Sequence, residues 1–221
     1  MRLSNARFLA LLLCSFLSFA TLRAQEYTDA LHTGANEYQI WSGYGLPQNP
    51  TWLGLMKDQP LSLSGFQYAR VILANKSVAW KYTIDAIPLA FTPTYKLGPI
   101  LTCVPITGGG SICLQSVERK TSYGGGANPF GMQFNFRRTR RLQPLLNGTG
   151  GFLYFNDPVP VAGASNFNFA FTVGTGVQWF INPSHSITFG YKFSHFSNHN
   201  LADSNPGTDS NFLYVAFSFH R

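Results

Sequence analysis

The sequence predicts an all-β chain closed as an eight-stranded antiparallel transmembrane β-barrel, and three observations lead there. Charged residues make up 11% of the chain, against about 25% in ordinary soluble domains, while aromatic residues reach 15%. Beyond residue 24, no stretch offers the ~18 uninterrupted apolar residues of a membrane helix. Short segments instead alternate apolar and polar residues with a period of two, as strands do when one face meets lipid and the other a narrow interior. Closure follows because hydrocarbon offers no partner to a free backbone N–H or C=O.

Residues 1–24 read as a secretory signal peptide. Arg2 and Arg7 precede an apolar run from Phe8 to Ala20, and small residues follow, with cleavage expected after Ala20 or Ala24. The run falls short of the ~20 residues needed to span a bilayer. Cys14 lies inside it without the small residue that precedes a lipidated cysteine. Losing Arg2, Arg7 and Arg23 lowers the formal charge of +7 to +4. That mild excess, with no basic helix or stripe, argues against a nucleic-acid partner. The mature domain is then 25–221, enough for one barrel.

Strands are expected at 37–46, 61–74, 78–89, 123–138, 142–155, 166–180, 186–197 and 211–221. The later ones show the pattern best. Phe167, Phe169, Phe171, Val173, Val177 and Trp179 share one parity, and Asn168, Ala170, Thr172, Gly174, Gly176 and Gln178 the other. Ile187, Phe189, Tyr191 and Phe193 oppose Thr188, Gly190, Lys192 and Ser194, and Leu213, Val215, Phe217 and Phe219 line one face of the last strand. With both termini inside, the inner turns fall near Asn75 and Lys76, at 138–141 and at 182–184, and all are short. The outer connections, 47–60, 90–122, 156–165 and 198–208, are longer and richer in Gly, Pro, Asn and Asp. Cys103 and Cys113 flank a Gly-rich bend in the second of these, and in an exported chain they are expected to form a disulfide stapling a loop or hairpin. A soluble β-sandwich fits such strand spacing too, but would leave Phe and Trp facing water.

One cluster carries candidate chemistry. His195 and Ser197 continue the parity of Phe189, Tyr191 and Phe193, so the pleat turns them towards lipid at the outer end. Asp209 opens the next strand on the same parity. A hydroxyl, an imidazole to take its proton and an acid to orient the imidazole are the parts of a nucleophilic hydrolase. Asn198 and Asn205 could donate to an oxyanion. The same spacing also suits an interface histidine that binds headgroups and does nothing more. Ser194 points inward, and Asp203 is a competing acid in the loop.

The stretch HFSNHNLADSNPGTD resembles the signature of the PagL family of outer-membrane lipid A 3-O-deacylases, in which H-x-S-N is followed by an Asn-containing loop and an acid. GGGANPFGMQFNF and GTGGFLYFNDPVP also resemble the wider family. The resemblance implies an eight-stranded barrel in the bacterial outer membrane with its catalytic groups on the outer wall. Ser197 would be the nucleophile, His195 the general base and Asp209 the orienting acid. Asn198 or Asn205 would hold the oxyanion, with Asn200 beside it, where His199 and Asn200 would either crowd that site or rim it. The family pattern has Glu where Asp209 stands and a small Ala-Gly pair where His199 and Asn200 stand. Lipid A or lipopolysaccharide would be the substrate and outer-membrane lipids the surroundings. No cofactor and no metal are expected, and pairing into a homodimer is left open. Rival readings are a structural or adhesive barrel, a family member without activity, and a narrow pore. Elsewhere, 137–141 reads as a solvated basic anchor at an inner turn, His185 as an exposed residue, and the Asn147 sequon as irrelevant in a bacterium.

Overall fold

The computed structural model describes residues 30–47, 51–56 and 59–221; the expected signal peptide lies outside them. Among the described residues, eight antiparallel strands close into a ring, each paired to its sequence neighbours and the last to the first. They are β1 (Asn36–Pro47), β2 (Leu61–Ala74), β3 (Val78–Pro105), β4 (Ser111–Phe136), β5 (Leu142–Val159), β6 (Ser165–Asn182), β7 (His185–Ser197) and β8 (Thr208–His220). Closure pairs Glu37 with His220 and Pro47 with Ser210, so no edge along β1 is left open. The three short turns β2–β3, β4–β5 and β6–β7 lie at one end with both described termini, as expected.

Alternation sorts every strand into two faces. Outside, Ile40, Phe66, Ile84, Met132, Leu146, Val173, Phe189 and Val215, one from each strand, are exposed large apolar residues. In water this belt would be a liability; in a bilayer it is the expected surface. Inside, the residues divide by height. At the turn end, Lys81 Nζ lies 2.6 Å from Glu37 Oε2 with both side chains almost fully buried. Gln178 donates to Glu37 Oε1 at 2.8 Å and to Ser186 at 2.8 Å, and accepts from Asn135 at 2.6 Å. His220 Nε2 closes the network on Ser186 Oγ at 2.8 Å. Six strands are thus tied by one buried polar cluster.

Higher up, Asp85 accepts from Gln67 at 2.9 Å and from Asn128 at 3.1 Å. The Lys192 ammonium stands 4.7 Å from the Tyr214 ring centroid and 5.6 Å from that of Trp41. The outer end is plugged by Leu61, Leu63, Ile87, Leu153, Phe155, Phe196 and Phe212, all buried. An eight-stranded ring encloses little more than side chains, and this apolar plug counts against the pore reading.

Four expectations need correction. The stretch 90–122 is not a loop: β3 and β4 continue as a two-stranded ribbon, pairing Phe91 with Tyr123 and onward to Pro105 with Ser111. Its Thr, Val, Ile and Cys residues suit extended backbone, and the Gly-rich bend supplies the positive φ of Gly108, Gly109 and Gly110. Cys103 and Cys113 face each other across it and are disulfide-bonded, their Cα atoms 4.0 Å apart. At its base Asp157 takes Lys120 at 2.8 Å and Lys96 at 3.0 Å, and those bonds hold its carboxyl below the usual range. Second, β4 stops at Phe136 because Arg137 takes a φ of 56°. Third, the basic run is more than a solvated anchor: Arg141 donates to the carbonyls of Phe180 at 2.8 Å and Ile181 at 2.7 Å, knitting two inner turns together. Fourth, His185 is half-buried, its ring 5.2 Å from that of Phe219.

The buried ion pair yields a stability prediction. Lys81→Met leaves Glu37 without its cation and is expected to cost about 3–5 kcal/mol, most of which the double change Lys81→Met with Glu37→Leu recovers. Urea unfolding in bilayers measures both, and equal losses in the single and double variants would contradict the coupling.

Candidate active site

The candidate residues meet on the outer wall of β6, β7 and β8. Register brings His195 directly opposite Phe171 on one side and Asp209 on the other, while Ser197 faces Phe169. Side chains directly opposite on one face stand about 4.5–5.5 Å apart at Cβ, so a short acid suffices. Asp209 Oδ1 lies 2.7 Å from His195 Nδ1. The Asp for Glu departure therefore does not break the contact, because the acid sits across from the imidazole rather than further along the strand.

Asp209 is completely buried although its strand position faces outward, and His195 is 12% exposed. The cover comes from the chain between β1 and β2. Its residues 51–56 fold back over the outer wall, and the backbone N–H groups of Trp52 and Leu53 donate to Asp209 Oδ2 at 2.6 Å and 2.7 Å. The carboxylate thus accepts on both oxygens, as a buried acid must. The same segment runs parallel to the start of β8: Leu55 N–H donates to Pro206 O at 2.5 Å and Met56 N–H to Gly207 O at 3.2 Å. Glycines make that approach possible. A Cβ on Gly54 would come within 2.8 Å of the Gly207 backbone.

Gly207 also fronts the candidate cleft. It has a φ of 61°, and a Cβ there would sit 3.1 Å from His195 Cε1 and 3.6 Å from Ser197 Cβ. A side chain here would press on the imidazole and on Ser197 together. Among the described residues Ser197 Oγ has no hydrogen-bond partner, so a bond to His195 is not formed in this structure. Phe171 packs its ring 5.3 Å from His195, and Trp52 stacks at 5.3 Å on Phe193. The wall around the pair is aromatic and continuous with the lipid-facing belt.

The asparagines form a loop lock. Asn198 N–H donates to Asn205 Oδ1 at 2.9 Å, Asn198 Nδ2 to Ser204 O at 2.7 Å, and Asn205 Nδ2 to Asn200 Oδ1 at 3.2 Å. Asn198 is buried with its amide hydrogen-bonded to the loop, whereas Asn205 sits against the backbone of the residue following Ser197. His199 and Asn200 adopt φ of 51° and 61°, the left-handed region that Asn tolerates best. His199 is exposed and meets the edge of Phe169 at 6.2 Å, so it rims the cleft. The rival acid Asp203 is exposed in the loop, and Ser194 is buried in the interior opposite Ser210.

Sequence reasoning missed the segment 51–56 and Gly207. A signal existed: Trp52-Leu53-Gly54-Leu55 is an apolar run in a connection expected to be an outer loop.

A family model described as lipid A 3-O-deacylase (PagL) matches residues 105–218. Among solved structures, the outer-membrane enzyme PagL matches at 15% identity and a TM-score of 0.52, covering 80% of this chain and 97% of its own. Neisserial surface protein A matches at 11% identity and a TM-score of 0.47, covering 84% and 98%. OprG from Pseudomonas aeruginosa matches at 10% and 0.42, covering 87% and 98%. Among curated proteins none matches. The family match spans half of the chain, including all of β5, β6 and β7. The chain belongs to the PagL lipid A 3-O-deacylase family, as a β-barrel of the bacterial outer membrane.

Proposed function

We propose that the chain is an outer-membrane esterase that removes the ester-linked 3-position acyl chain of lipid A through an acyl-enzyme on Ser197. The observation that carries this reading is the pairing of His195 with a fully buried Asp209, with Ser197 two residues from His195 on the same lipid-facing wall. A bare interface histidine has no need of an acid sealed from solvent behind it.

In the proposed reaction Ser197 Oγ attacks the ester carbonyl while His195 Nε2 takes its proton. Nδ1 is engaged by Asp209, which fixes the tautomer and stabilises the imidazolium. The tetrahedral intermediate collapses, the C–O bond to the sugar breaks, and His195 returns the proton to the departing sugar hydroxyl. Water then attacks the acyl-enzyme with His195 again as base, releasing a free fatty acid and regenerating Ser197. The oxyanion is assigned to Asn205, whose second Nδ2 hydrogen is available once Asn200 has taken the first; Asn198 and Asn200 hold it in place. Lateral access fits this arrangement, since the substrate already lies in the outer leaflet and need not enter the plugged barrel.

Three outcomes test the reading. Ser197→Ala, reconstituted in lipopolysaccharide-containing bilayers, is expected to lose nearly all release of hydroxy fatty acid, triad serines being worth about 10⁶ in kcat in the best-dissected case; equal release by the variant, or none by folded wild type, sinks the hydrolase. Asp209→Asn should lower kcat by roughly 10⁴ through the wrong imidazole tautomer, while Asp203→Asn leaves it unchanged; the reverse order would identify Asp203 as the working acid. Gly207→Ala adds a side chain to the cleft and about 1–2 kcal/mol of left-handed strain. Its kcat/KM should fall at least about tenfold, measured on the same substrate, and wild-type kinetics would show that the cleft is elsewhere.

A further inference from the structure

The acid of this site faces the wrong way for a buried charge. Asp209 occupies an outward position on β8, a strand whose outward apolar residues, Leu213, Val215, Phe217 and Phe219, are all exposed. A carboxylate in contact with lipid would lose its solvation and protonate. It is saved from this by segment 51–56, which seals it and donates two backbone hydrogen bonds to the oxygen that His195 does not use.

What holds the segment down is visible in the burial of Phe193. Its outward neighbours on β7, Phe189 and Tyr191, are 60% and 38% exposed, yet Phe193 is only 6% exposed. Two rings cover it, Phe171 at 6.1 Å from β6 and the indole of Trp52, stacked on it with an interplanar angle of 25°. Trp52, Leu53 and Leu55 are themselves 72%, 59% and 75% exposed, so the segment shows an apolar outer surface at the level of the candidate site. Tryptophan at this depth is favoured by the membrane–water interface.

Resting on the hydrolase reading above, we propose that segment 51–56 is a strap that positions the catalytic acid, and that Trp52, clamped on Phe193, is its positioning residue. Lipid against Trp52, Leu53 and Leu55 keeps the strap seated, the two amides keep Asp209 ionised and aimed, and Asp209 aims His195. The strap touches no reacting atom in this scheme. Around His195, the packed groups are Asp209 from β8, Phe171 from β6 and Gly207 from the last loop, and of these only Asp209 is ionisable.

The test compares Leu53→Pro, which deletes one donor to Asp209, with Leu53→Ala, which keeps it, and Trp52→Ala with Trp52→Phe, which keeps an aromatic surface. Each is reconstituted in bilayers and read by lipid A deacylation and by the downfield proton resonance of the His195–Asp209 hydrogen bond. Leu53→Pro and Trp52→Ala should lower kcat by about a hundredfold, the scale of a small misplacement of a catalytic group, with KM little changed and the resonance shifted or broadened. Leu53→Ala and Trp52→Phe should restore both readouts towards wild type. Unchanged kcat and resonance in Leu53→Pro would overturn the strap, as would a rise in KM at constant kcat, which would make these residues substrate contacts. A wild type that releases no fatty acid, with a resonance that still depends on the Leu53 amide, would leave the strap standing and remove the hydrolase.

Discussion

Everything in this structure depends on the hydrocarbon's refusal to hydrogen-bond. A sheet in lipid must close, and closing this one pairs β1 with β8 from Glu37–His220 to Pro47–Ser210. Once the ring is closed its register cannot slip, because a one-residue shift would exchange the lipid face for the interior. Parity then becomes destiny for each side chain. It sends Glu37, Lys81, Gln178 and His220 inward, where they must satisfy one another, and sends His195, Ser197 and Asp209 outward. The cross-strand pairing of His195 with Asp209 is a consequence of the same register that buries the Glu37–Lys81 ion pair at the other end.

Height along the barrel divides the labour. Around the turns, a buried polar network links six strands and gives the narrow interior a single arrangement. Near the outer rim the interior is apolar, with Phe155, Phe196 and Phe212 filling it. This leaves no interior route for a lipid and a stiff backing for β6, β7 and β8 where the candidate groups sit. A candidate site on the outer wall therefore suits the proposed substrate, which is itself part of the leaflet. The ribbon formed by β3 and β4, stapled at Cys103–Cys113, stands on the same outer side.

The sequence made some of this readable and hid the rest for physical reasons. The strands β2, β6 and β7 were legible to within a residue or two because lipid on one side and packing on the other impose a strict two-residue period. The ribbon beyond residue 89 was not: above the membrane the alternation loses its meaning, and Gly and Pro there looked like loop signals. The register pairing of His195 with Asp209 was within reach of parity, since both residues lie close to the same turn. The strap was out of reach. Its bonds to Asp209 are made by backbone amides 156 and 157 residues away, and backbone donors leave no trace in residue type. Only the apolar run at Trp52 to Leu55 hinted that this connection lies on something. His220 falls inside the expected last strand, but residue type alone did not show that its ring packs 4.8 Å from Phe180 inside the barrel.

The strap also bears on why an aspartate can stand where the family pattern has a glutamate. A longer acid can reach an imidazole from a position further along or across the wall. An aspartate must lie directly opposite it, where its carboxylate is pressed into the outer surface of the sheet with no room to turn back to water. Burying that charge would cost several kcal/mol if it were left with one partner. Two amides and an imidazole offset the cost, and they can do so only because Gly54 and Gly207 let two backbones approach closely enough for the strap to lie flat. The short acid, the paired glycines and the apolar Trp52–Leu55 run are thus one arrangement, and changing any of them alone should be harder on the site than changing them together.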